Sequence, residues 1–163
     1  SKNKKIYWSI DGITFSSNCN IYVDMMQFFK EIKIKTNGQK LIEITSQVLD
    51  IVASASIKEG ILNLSIMHTS ASLIVQENVD PDVKKDLLNF FDSAVPMDPS
   101  LYVHNIEGKD DMPAHIKTAL TNTHITLSIR SKKLVLGTWQ GIYLFEHRLI
   151  NQNRTILAHI LGN

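Results

Sequence analysis

The stretch ILNLSIMHTSASLIVQ, residues 61–76, decides the fold class. Leu62, Leu64 and Ile66 alternate with Asn63 and Ser65, the period of two that gives a half-buried strand one apolar face. Thr69, Ser70, Ala71 and Ser72 form a small, polar turn, and Ala71 to Gln76 reads as the neighbouring strand. The first strand ends in a histidine. His68 at that place either projects into a cleft at the sheet edge or donates one hydrogen bond to a loop carbonyl.

Upstream, Ile44, Val48, Ile51, Val52 and Ala55 fall at helical spacing, so the pattern predicts a helix from Glu43 to about Ile57. Thr45 is its local cap and Gly60 lies just past its end. Residues 27–35 end in an alternating strand pattern closed by Asn37-Gly38. Residues 1–25 are different: isolated aromatics among Asn, Ser and Lys predict an N-terminal extension carrying a short hairpin with its turn at Asp11-Gly12.

Downstream, Asp80-Pro81 opens a second helix with an acceptor at the N-cap and proline in the first turn. Val83, Leu87, Phe90 or Phe91, and Ala94 mark its buried face, and Pro96 and Pro99 end it. Leu101-Tyr102-Val103 is strand-like, and Met112 to Leu120 predicts a short helix. The last third carries strands at about 125–129, 133–136, 141–145 and 155–160. Strands interspersed with two to three helices predict an α+β domain on antiparallel sheets, a single domain over residues 26–163.

Composition narrows the function classes. In 163 residues the formal net charge is +1, without the basic excess that nucleic-acid binders use against phosphates. The single cysteine, Cys19, forms no internal disulfide and no thiol cluster for zinc. No apolar run approaches the ~20 residues of a membrane-spanning helix. The basic start SKNKKIYW lacks the apolar core of a secretory signal, so the expected location is cytoplasmic, with no nucleic-acid or membrane partner. A phosphate cradle, a dinucleotide fingerprint and a G-x-S-x-G elbow are all absent.

Ionisable residues concentrate in YVHNIEGKDDMPAHI, residues 102–116. Three neutral imidazoles, His68, His104 and His115, can bind a divalent ion and leave a position open for water or substrate. Their spacing matches no compact motif, so a metal site here depends on tertiary convergence. Glu107, Asp110 and Asp111 either orient a ligand, act as general base and hold Mg²⁺, or decorate a charged turn at Gly108. Gly137-Thr138-Trp139-Gln140-Gly141 is either a strand bulge with an aromatic plug or a ligand platform of Trp139 and Gln140. Glu146-His147-Arg148 adds ionisable groups near a strand end.

HTSASLIVQEN (68–78), DPDVKKDL (80–87), YVHNIEGKDDMPAHI (102–116) and LGTWQGIYLFEHR (136–148), in that order, resemble the YjbQ family, also called UPF0047. The resemblance spans about residues 26–150. It implies an α+β, two-sheet, mostly antiparallel sandwich assembled as a homotrimer with sheets packed around the threefold axis. It also implies a weak, secondary thiamine-phosphate synthase activity. On the matching motifs it makes His68, His104 and His115 the metal ligands, for zinc or magnesium, and places Glu107, Asp110 and Asp111 as the acids. The thiamine-phosphate reaction expels a diphosphate, so Lys109 and Arg148 become candidate cations beside Trp139 and Gln140 for a small anionic or phosphorylated metabolite. The chain departs from the family at Asn122-Thr123-His124, at Leu127-Ser128 and at Lys132, where glycine is usual. A non-catalytic trimeric module binding a small anion or metal is the competing expectation.

Overall fold

A computed structural model of the chain describes residues 6–10, 13–17 and 25–163. Strands β1 (Ile6–Ile10) and β2 (Ile13–Ser17) pair antiparallel, with Trp8 opposite Phe15 and Ile10 opposite Ile13. The expected turn at Asp11-Gly12 lies outside the described residues.

Strand β3 (Met26–Asn37) turns at Gly38, whose φ of +95° is open to glycine, into β4 (Lys40–Glu43). The helical pattern at 43–57 concealed β4: the periodic residues begin at Ile44, but Glu43 is still paired with Tyr143 in a sheet. Helix α1 (Thr45–Ser54) therefore starts later and ends earlier than the pattern predicts. Thr45 does not cap it. Its hydroxyl donates to Glu43 Oε1 at 2.9 Å and accepts from the Ile142 N–H at 2.9 Å, tying the helix start to the sheet.

The opening stretch forms β5 (Gly60–Ile66) and β6 (Ala71–Glu77), but in different sheets. Gly60 is a strand residue rather than a helix stop. A Cβ there would lie 2.2 Å from the Leu161 carbonyl oxygen, so only glycine allows the strands to come this close. Helix α2 (Pro81–Ala94) begins as expected, with Asp80 Oδ1 accepting from the Asp82 N–H at 2.9 Å. None of its residues is fully buried. Phe91, not Phe90, faces the sheet, edge-on to Phe145 at 5.4 Å.

Residues 101–104 are not a strand: Leu101 closes a 3-10 turn at Pro99–Leu101 and an irregular loop follows. Helix α3 (Asp111–Leu120) tolerates Pro113 because the first turn has no N–H partners to lose. Strands β7 (His124–Arg130), β8 (Lys133–Leu134), β9 (Gln140–Glu146) and β10 (Asn151–Gly162) complete the chain. Between β7 and β8 the Lys132 φ is +61°, a left-handed turn position that glycine takes without strain.

Two antiparallel sheets result, in strand orders β3-β10-β5-β7-β8 and β4-β9-β6. With three α-helices, this is the α+β two-sheet architecture expected. Leu62, Leu64, Ile156, Ala158 and Ile160 of the larger sheet meet Leu73, Ile142 and Leu144 of the smaller, and α1 adds Val48, Ile51 and Val52. At one end of this core apolar side chains give way to Thr36, Ser70, Glu146 and Arg154, all buried. The site is built on that end.

Candidate functional site

Four segments meet there: the 67–72 turn between β5 and β6, the loop 102–110 with the start of α3, the Glu146-His147-Arg148 exit of β9, and Arg154-Thr155 of β10. Buried charges hold them in place. Arg154 donates from Nε and Nη2 to Glu146 at 2.7 and 2.6 Å, and from Nη2 to the Ser70 hydroxyl at 3.0 Å. Thr36 Oγ1 donates to Glu146 Oε2 at 2.8 Å, and the Arg148 N–H to Glu146 Oε1 at 3.0 Å. With both oxygens paired, this carboxylate bears its burial.

Arg148 carries the loop. Its Nε donates to Asp110 Oδ2 at 2.9 Å, its Nη2 to the Glu107 carbonyl at 3.0 Å, and its Nη1 to Asp111 Oδ1. The Leu149 N–H adds a fourth bond, to Asp110 Oδ2 at 2.8 Å. Burial on its own raises the pKa of Asp110 and Asp111. The hydrogen bonds and charges around them, Arg148 foremost among the charges, outweigh it and hold both below the usual carboxylate range.

At the start of α3 the i, i+4 spacing stacks Asp111 and His115 on one helix face. The loop delivers His104 to the same point. His104 Nε2 lies 2.7 Å and His115 Nε2 3.3 Å from Asp111 Oδ2. The other nitrogen of His115, Nδ1, is 2.9 Å from the Thr69 carbonyl oxygen. A carbonyl only accepts, so Nδ1 carries the proton, and in the neutral ring Nε2 presents a lone pair to an anionic oxygen. Two acceptors at that distance require a cation between them, a proton or a metal. Asp110 and Asp111 against Arg148 leave one net negative charge for a bound cation to offset. Among the described residues, His104, Asp111 and His115 are the group able to hold a metal ion, with ligand atoms all within 4.8 Å of one another. Two imidazoles and a carboxylate suit zinc-like ions better than magnesium.

His68 is not part of this trio. Its Nε2 accepts from the Thr155 N–H at 2.8 Å, so the lone pair a metal would need is already used within the chain. Burial and Arg154 lower its pKa against an opposing pull from Glu146, which keeps the ring neutral. The histidines expected to converge thus meet as two, with Asp111 in the third place. Of the three acids, Asp110 serves as a buried anchor for Arg148, Asp111 as the shared hinge of both histidines, and Glu107 stays exposed.

The residues expected to bind substrate are divided. Arg148 is in the site, but its guanidinium is committed to Asp110, Asp111 and the Glu107 carbonyl. Lys109, next to Asp110 in the chain, is exposed. Trp139 and Gln140 stand at the far end of β9, six residue steps and about 20 Å from Glu146. There Gln140 Oε1 accepts from the Gly137 N–H at 2.7 Å, closing a turn.

Sequence reasoning passed over Arg154, Lys117 and the carbonyl of Thr69. The signal for Arg154 was its parity: it shares the inward register of Ile156, Ala158 and Ile160. Lys117, fully buried, donates to Asp92 Oδ1 at 2.6 Å. His147 is also fully buried, its Nε2 2.9 Å from Ser72 Oγ. Burial first, then the charges of Lys117 and Arg154, push its pKa down to about 3.

A family model described as UPF0047 protein YjbQ-like matches residues 30–163. A UPF0047 protein of Synechocystis is 46% identical over 129 residues, 79% of this chain and 88% of that protein. The UPF0047 protein YjbQ of Escherichia coli O157:H7 is 38% identical over 138 residues, 84% of this chain and 99% of that protein. Among solved structures, a YbjQ-like protein of unknown function from Sulfolobus solfataricus P2 superposes with a TM-score of 0.79 at 28% identity, covering 85% of this chain and 99% of the other. A YjbQ/UPF0047 protein from Clostridium acetobutylicum gives a TM-score of 0.74 at 33% identity, covering 80% and 98%.

Proposed function

The chain belongs to the UPF0047 (YjbQ-like) family, and on that premise we propose that it is a metal-dependent enzyme whose divalent ion is held by His104, Asp111 and His115. The observation that carries the reading is the convergence of His104, Asp111 and His115, whose ligand atoms lie within 4.8 Å of one another, with His115 held through Nδ1 by the Thr69 carbonyl so that Nε2 faces Asp111 Oδ2 at 3.3 Å. Ligand atoms bound at about 2 Å around one tetrahedral ion lie roughly 3.3 Å apart, so a small outward shift of exposed His104 completes the fit. Arg148 and Thr69 are the partners that fix the ligands' orientation. Three protein ligands leave a position for water or substrate, the arrangement of catalytic rather than structural zinc.

The residues support a secondary thiamine-phosphate synthase activity only weakly. Its leaving diphosphate needs cations, yet Arg148, Arg154 and Lys117 are each neutralised by carboxylates. Exposed Lys109 is left, with the metal ion itself. The same commitment of cations counts against a non-catalytic anion-binding module. The homotrimer belongs to this reading too: Val103 and Ile106, almost wholly exposed on either side of His104, are apolar surface for a neighbouring subunit to cover. A cytoplasmic site of action completes the proposal.

Elemental analysis of untagged protein tests it. About one zinc-like ion per chain is expected, lost in His104→Ala and Asp111→Asn. Protein that takes up no divalent ion, or binds it equally well after Asp111→Asn, overturns the reading.

A further inference from the structure

The larger sheet has an inner face on the core and an outer face that no other described element is seen to cover. Alternation places Phe29, Ile61, Leu157, His159 and Leu161 on that outer face, because Leu62, Ile156, Ala158 and Ile160 take the inner one. The register sets them in adjoining rows: Gln27, Leu161 and Ile61; Phe29, His159 and Asn63; Glu31, Leu157 and Ser65. Phe29 and His159 stack with ring centroids 4.1 Å apart. Phe29 is 55% and Ile61 44% exposed. His159 Nε2 is buried and has no hydrogen-bond partner among the described residues. Beyond this patch the face is polar, with Ser65, Thr126, Ser128 and Lys33.

The β1–β2 ribbon has the converse problem. Residues directly opposite in an antiparallel pair share a face. The register therefore puts Ile6, Trp8, Ile10, Ile13 and Phe15 on one face with Ser17, and Tyr7, Ser9, Thr14 and Ser16 on the other. A two-stranded ribbon with one apolar face is marginal in water until that face packs on something. The family match begins at residue 30, so the ribbon lies outside the matched residues.

We infer that the β1–β2 hairpin folds back within the same chain and packs its Ile6, Trp8, Ile10, Ile13 and Phe15 face on the outer patch of Phe29, Ile61, Leu157, His159 and Leu161. Three features on the page select this occupant. Ile6 to Ile10 spans four residue steps, as does Leu157 to Leu161, so the two apolar areas match in length at about 14 Å. The chain enters β3 at Met26, opposite Gly162 and next to the Leu161 row, at the corner of the patch itself. The eight residues 18–25 between ribbon and sheet span at most about 28 Å, which is enough to cross a packing distance of about 10 Å and too little to reach far beyond the patch.

The chain has two tryptophans, so in a Trp139→Phe background Trp8 is the sole reporter. In the full chain its emission is expected to be blue-shifted and shielded from acrylamide. Phe29→Ser combined with Leu161→Ser should raise quenching several-fold. Phe15→Ser, which leaves the body of the protein untouched, should do the same. Phe90→Ser, exposed on α2 against the smaller sheet, should leave it unchanged. Trp8 quenched as freely as in urea would overturn the inference, as would shielding that survives both sets of substitutions. Shielding lost on dilution past the dissociation of the oligomer would assign the patch to a second copy and equally refute packing within one chain.

Discussion

Replacing Arg148 with leucine separates an anchoring role from a substrate-binding one. Its side chain pairs with Asp110 and Asp111, which are only 6% and 2% exposed, and removing it strands two buried carboxylates. Breaking a buried ion pair from one side costs about 3–5 kcal/mol. At roughly 2–4 °C per kcal/mol for a domain of this size, Tm should fall by about 6–20 °C. The pH dependence carries the sign. In the native protein both aspartates titrate below their ordinary range, so their contribution is present at neutral pH and lost as pH falls through those depressed values. In Arg148→Leu burial is opposed chiefly by the Leu149 N–H on Asp110 and the histidines on Asp111, so the carboxyls protonate at higher pH than in the parent, and the deficit against the parent protein should shrink towards pH 4. Adding Asp110→Asn should recover part of the loss, because it removes a charge that no longer has a partner. Urea titrations at fixed protein concentration, at pH 7 and pH 4, read all three. A loss under about 1 kcal/mol at pH 7, typical of an exposed pair, would refute the buried-anchor reasoning. So would a deficit that does not change with pH.

Three further outcomes are expected. His147, held to about 3 by burial and the neighbouring cations, stays neutral in the fold while the unfolded chain takes up a proton near 6.5. The parent protein should therefore lose up to about 3 kcal/mol between pH 6.5 and pH 4 through this residue, and His147→Gln should flatten that stretch of the urea-midpoint profile. Gly60→Ala places a methyl 2.2 Å from the Leu161 carbonyl oxygen and should destabilise by about 1–3 kcal/mol or more in thermal melts. Lys132→Gly relieves a φ of +61° and should stabilise by up to about 1 kcal/mol, read as a higher urea midpoint; a loss would mean the lysine makes compensating contacts.

Local periodicity carried most of the architecture. Leu62-Leu64-Ile66 and the Asp80-Pro81 start gave β5 and α2 directly, because alternation and capping are written in neighbouring residues. Strand β4 escaped because its four residues adjoin a helical pattern and are held by pairing with β9, a partner a hundred residues away. The apolar triplet at 101–103 reads as a strand and is none: Leu101 closes the 3-10 turn that Asp98 caps, and no described strand pairs with the residues after it. Arg154 and Glu146 were legible in principle, as charges at inward parity in apolar strands, a pattern that almost always means a buried partner.

For the site, the sequence determined which residue types were present, and that Asp111 and His115, four apart on a helix, share a face. Only the tertiary structure decided the membership. It put His104 against that pair and gave the Thr69 carbonyl to His115, which fixes the ring's tautomer. It engaged His68 with the Thr155 N–H and spent Arg148 on two aspartates. The physical reason is that a histidine's role is set by which nitrogen carries the proton. That proton goes where a hydrogen-bond partner is delivered, here from turns and strands 40 to 90 residues distant in the chain.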